Sequence, residues 1–173
     1  MINIRAINQT KAFARQDGAL LALLWISAFA FTILTPQSSI GGLLALSTPF
    51  FVVWRMISFR NYALEGSISY RRALVYCMYT FFYSSLIFGV AQFLYFRFLD
   101  QGRFMGTVST MMLAMQTAYK QNGIDTKEIN DAMTLINTMT PLELSFMIMV
   151  YNLIIGWICS IFIAAFAKFR IKK

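Results

Sequence analysis

Residues 79–96 read YTFFYSSLIFGVAQFLYF, eighteen positions without a charge. In water such a stretch would have to be buried on every side. In a bilayer it is close to the ~20 residues that a helix needs to cross the hydrocarbon. Lipid offers no partner to a backbone N–H or C=O, so the segment satisfies its own backbone as a helix. Three further windows are of similar character. They place membrane spans at about 18–35, 40–58, 73–99 and 144–167. Pro49, inside LALSTPFF, predicts a kink in the second.

The whole chain agrees with that reading. It is 58% hydrophobic and 13% charged over 173 residues, too apolar for the surface of a soluble domain. It has no histidine, which removes the commonest general base, metal ligand and pH switch. Cys77 and Cys159 sit apart in apolar runs and read as small packing residues. No metal site and no cofactor is expected. The basic lead and the stretch Ala28-Phe29-Ala30 resemble a signal peptide, but the apolar run continues to Leu34, and the segment is read as a retained span.

Eleven of the fifteen Lys and Arg residues fall on one side of the alternating loops: Arg5, Lys11, Arg15, Arg55, Arg60, Arg71, Arg72 and the tail residues Lys168, Arg170, Lys172 and Lys173. Cationic loops stay in the cytoplasm, so both termini are expected inside. These residues form collars at membrane ends, where they meet anionic lipid. They form no basic face on a recognisable motif, so no nucleic acid is expected as a partner.

Residues 100–143 are too long for a turn and carry two apolar stripes of helical period. The first holds Phe104, Val108, Met111, Met112, Met115 and Tyr119. Asn122-Gly123 ends it, and a D-x-x-E start at Asp125 and Glu128 opens the next. The second stripe holds Ile129, Ala132, Met133, Ile136 and Met139. Thr140-Pro141-Leu142-Glu143 then reads as a capping box opening the last span. The fold class is thus an all-α membrane protein of one domain. It has four transmembrane helices, cytoplasmic termini and an amphipathic helical hairpin outside, between helices 3 and 4. Eight of the eleven methionines lie between Met105 and Met149. Thioethers suit Cu(I), but they equally fill irregular contacts. The stripes, with Phe104, Met111, Met112, Met115, Met133 and Met139, are read as a face for a partner, lipid or the protein's own bundle.

Within the spans, Phe81, Ser85, Phe88, Gln92 and Phe96 share one helix face, with Tyr76, Tyr79 and Tyr83 roughly opposite. Asn152, Gly156, Ser160 and Ala164 recur every four residues, as do Gly41 and Ala45. Small residues at that spacing let backbones approach, and Asn or Gln can bond across helices. Ser85, Gln92, Tyr151 and Asn152 are alternatively the rim of a polar pocket. The packing reading is preferred, because no acid is read deep in any span. Arg55, Arg60, Arg71 and Arg72 are candidate contacts for lipid headgroups or phosphate, with Arg55 snorkelling to the interface.

The segments RQDGALLALLWI, LLALSTPFFVVWRM, LEGSISYRRALVYCMYTFFYSSLIFGVAQFLYFRFLD and TPLELSFM resemble the bacterial inner-membrane family called domain of unknown function 4199. The resemblance implies four membrane helices with an external helical insert and assigns no catalytic residue. It also implies an accessory role beside a membrane glycosyltransferase that acts on polyprenyl phosphate. Three functions are carried forward. The first is a non-catalytic scaffold, bound to membrane lipids and to a larger membrane protein or a second copy. The second is a carrier or flippase-like oligomer for a lipid-linked or amphipathic substrate. The third, ranked last, is an enzyme using Asp17, Glu65 or Asp100.

Overall fold

The structure, a computed structural model, describes residues 4–166. Among these residues there are seven helices and no strands: α1 (Ile4–Leu34), α2 (Ile40–Leu46), α3 (Thr48–Ala63), α4 (Tyr70–Phe98), α5 (Arg103–Gln121), α6 (Lys127–Thr138) and α7 (Pro141–Ala165). Three of them are long and apolar enough to cross a membrane: Arg5–Leu34, Tyr70–Phe98 and Pro141–Ala165. α2 and α3 pass the same test only as a pair, bent by 40° at their break. The bend falls where Pro49 was expected to kink the chain, because the α3 N-terminus carries the proline in its first turn.

α4 is the central helix. α1 lies along one side, running in the same direction, since Thr10 pairs with Arg72 and Phe29 meets Tyr95. α7 lies along another and runs the opposite way. A Cβ at Gly89 would touch the Met149 side chain, and one at Gly156 would come within 2.5 Å of the Phe81 ring. Gly156, Ser160 and Ala164 are all buried, and Gly156 lies against Phe81 of α4. The serine makes no bond across the interface among the described residues. Ser160 Oγ donates back to its own helix at the Gly156 carbonyl, 2.7 Å away, as Ser84 does to Phe81. Hydroxyls that bond the preceding turn need no partner across the interface.

α2 and α3 return antiparallel to α1. The levels match in steps: Gly41 faces Thr32, Thr48 accepts from Trp25 Nε1 at 2.9 Å, and Arg55 meets Asp17. The two helices differ in what else they touch. α2 packs on α1, where a Cβ at Gly41 would stand 2.8 Å from the Ala28 carbonyl. α3 reaches α1, α4 and α7 and buries Val52, Met56, Phe59 and Arg60.

Two boundaries depart from the sequence reading. α1 begins at Ile4, fourteen residues before the expected start, because its polar lead-in has partners on α3 and α4 rather than in water. α6 begins at Lys127 after Thr126, and Asp125 accepts from the Lys127 N–H at 3.0 Å instead of opening the helix itself. Other signals hold. α5 stops before Asn122, with Gly123 at φ +69°, a left-handed value that glycine tolerates. The capping box of α7 is complete: the Thr140 hydroxyl accepts from the Glu143 N–H at 3.3 Å, and Glu143 accepts from the Thr140 N–H at 2.8 Å.

Candidate functional site

The bundle has a closed half and an open half. The closed half centres on Asp17, which is 1% exposed. Arg55 Nε donates to Asp17 Oδ1 at 2.6 Å, a terminal guanidinium nitrogen is ion-paired to the same oxygen, and the Tyr76 hydroxyl donates to Oδ2. An isolated buried carboxylate would be very costly, whereas one holding a guanidinium and a phenol is tolerable. Tyr76 stacks on Phe59 at 4.8 Å between centroids. Beyond it, Arg72 donates to Thr10 and Gln9 at 3.1 and 2.7 Å, and its guanidinium lies over the Phe59 ring.

The arrangement corrects two expectations. An acid does lie buried within the first candidate span. Arg55, read as snorkelling, is instead held by Asp17, with its side chain 23% exposed. Arg72 is engaged by α1, and Arg60 is buried and donates to Asn61. Of the four proposed headgroup contacts, Arg71 alone is classed as exposed. The tail cations Lys168, Arg170, Lys172 and Lys173 lie outside the described residues.

The open half is a pocket of about 590 Å³ between α1, α2–α3, α4 and α7. Trp25 and Phe29, Gly42 and Pro49, Phe81 and Phe88, and Ile148 and Ile155 are among its lining residues, with Phe104 of α5 at one end. It exists because α2 hugs α1 and leaves a gap towards α7 that α3 closes further along. Gln92 and Asn152, both expected around a pocket, do line it. Ser85 shares the Gln92 face of α4 and is buried, but it is not among the lining residues. Tyr151 points elsewhere and is 59% exposed. Buried Ser85 Oγ, Gln92 Oε1 and the Tyr95 hydroxyl have no hydrogen-bond partner among the described residues.

At the Gln92 end, Phe29 contacts Phe88, Tyr95, Phe96 and Phe104, the last two also meeting each other at 4.8 Å. Asp100 accepts from the Phe104 N–H at 2.8 Å and so fixes the start of α5. Past this stem the hairpin leaves the bundle. α5 buries none of its residues, α6 only Ile129. Met111 and Met115 are exposed, and Met112, Met133 and Met139 half-buried.

Residues 16–168 match the family described as Protein of unknown function (DUF4199). The chain belongs to that family. The DUF4199 match takes in Asp17, Arg55, Tyr76, the pocket and the whole hairpin. No curated protein and no solved structure matches the chain. The acids considered for catalysis stand at separate levels: Asp17 inside the bundle, Glu65 in the α3–α4 turn at φ 52°, and Asp100 beyond the far end of α4. Among the described residues no group of three or more His, Cys, Asp or Glu could hold a metal.

The sequence pointed to Gln92, Asn152 and Gly156, but it missed Asp17 as the shared partner of Arg55 and Tyr76. The available signal was depth. Asp17 stands at the start of the first apolar window and Arg55 near the end of the second, so that in two antiparallel helices the opposite charges would meet.

Proposed function

We propose that the chain is a four-span protein of a bacterial cytoplasmic membrane that serves as a non-catalytic scaffold subunit. The α2–α3 pair is its broken second span. Both termini and the α3–α4 turn face the cytoplasm, and the α5–α6 hairpin lies outside. That orientation is supported by the side-by-side run of α2–α3 along α1 and by the Lys and Arg asymmetry of the loops.

The scaffold role is carried by the hairpin. α5 spans 19 residues and buries none, although Met111, Leu113 and Met115 are 45–57% exposed. The ring stem and the Asp100 cap anchor its base. An anchored helix with an uncovered apolar stripe suits a protein partner. The partner is a larger membrane protein; a glycosyltransferase acting on polyprenyl phosphate is the class that the family resemblance implies. The carrier alternative asked four arginines to hold phosphate, and three of them are engaged or buried within the bundle. Catalysis would need converging groups, and the acids stand apart.

Affinity purification from native membranes tests the reading. A membrane protein should co-elute in fixed proportion with the wild type and be lost with Met111→Ser plus Met115→Ser, while the thermal stability of the variant is unchanged. Recovery of the wild type as a bare monomer contradicts the scaffold role.

A further inference from the structure

The pocket has a feature that packing alone does not explain. Gln92 is 2% exposed, lines the pocket and leaves Oε1 without a hydrogen-bond partner among the described residues. Two other polar side chains of the lining are satisfied: Thr48 accepts from Trp25, and Thr32 donates to the Ala28 carbonyl at 2.9 Å. A buried amide oxygen without a donor is unfavourable, so it is kept where something else supplies the donor. None of the described lining residues is charged, so an ionised head would enter without a counter-ion. The remaining walls are aliphatic and aromatic. The volume, about 590 Å³, is within the roughly 300–1,000 Å³ of sites that enclose a small ligand.

We infer that this pocket binds an uncharged single-chain lipid bearing a hydroxyl group, with its chain among the Trp25, Phe88 and Ile155 side chains and its hydroxyl donating to Gln92 Oε1. A hydroxyl is the smallest uncharged head that can both give and accept a hydrogen bond. The half-buried Asn152 of α7 is the second amide in the lining of the same pocket. Apart from Phe104 of α5, which lines one end, the site is built by the bundle helices, and it does not rest on a partner docked at Met111 and Met115.

The test uses the full chain in phosphatidylcholine nanodiscs and a photoreactive, taggable analogue of 1-hexadecanol. Labelling should map to peptides of α4 and α7, and unlabelled 1-hexadecanol should displace the probe at least about tenfold better than palmitate. Gly42→Leu should abolish labelling by filling the pocket. A Cβ at Gly42 meets nothing within 4 Å, so the substitution starts into open space, and its melting temperature is measured beside the labelling to show that the variant is folded. Gln92→Leu should weaken binding about tenfold, since it keeps the apolar walls and removes the acceptor. Equal displacement by palmitate, undiminished labelling of Gly42→Leu, or wild-type affinity in Gln92→Leu each overturns the inference.

Discussion

The two halves of the bundle use the same four strands of helix and reach opposite ends. Around Asp17 the carboxylate takes partners from two other helices, Arg55 and Tyr76, and α3 bridges to α1, α4 and α7. Around Gln92 the returning chain is α2, which packs mainly on α1, and a cavity opens beside it in which the amide oxygen has no partner among the described residues. A change of direction of 40° separates the two. The lesson is that one break in one helix decides whether a cross-section is filled or left as a site. The closed half supplies the rigidity, and the open half is free to bind.

Breaking the closed half should have the largest effect. Asp17→Leu leaves Arg55 without its counter-ion and should cost about 3 kcal/mol, the low end for a buried pair because Arg55 is partly exposed. Thermal unfolding in detergent measures it. Adding Arg55→Met should restore most of the loss. If Asp17→Leu melts with the wild type, the ion pair is not what closes this half.

The halves share the α4–α7 seam, which a smaller change probes. Gly156→Ala drives a methyl group against the Phe81 ring and should cost about 1–3 kcal/mol as overpacking. Gly42→Leu, in the open half, adds far more volume and should change stability by less than about 0.5 kcal/mol. The contrast between these two glycines is the sharpest comparison within one experiment, and equal losses would mean that the pocket closes in solution.

Thr140→Ala removes the hydroxyl half of the α7 capping box and should cost about 1 kcal/mol. Weakest of all, Met111→Ser plus Met115→Ser should leave the melting temperature within the equivalent of about 0.5 kcal/mol, since neither residue is buried. A large loss there would show the hairpin packing against its own bundle.

The sequence made the elements legible and left their partners obscure. The α7 cap, the stop at Asn122-Gly123, the bend near Pro49 and the small-residue seam are local signals, each written within a few residues. Gln92 and Asn152 were legible as polar side chains in apolar helices. Asp17 was not, because its meaning comes from residues 38 and 59 positions away. Its helix also carries a polar lead-in that reads as a loop until Arg72 and Ala63 are placed beside it. The pocket could not be foreseen either, since it depends on how closely α2 lies on α1.

The central claim is that α2 and α3 together make one broken crossing, so that the turn after α3 and the turn before α2 lie on opposite sides. Single cysteines at Gln37, Ser67 and Asn122, in a Cys77→Ala and Cys159→Ala background, can be tested with an impermeant maleimide on intact cells. Gln37→Cys and Asn122→Cys should label at once, and Ser67→Cys only after the membrane is opened. Labelling of Gln37→Cys and Ser67→Cys from the same side would make the pair a re-entrant loop and contradict the four-span account.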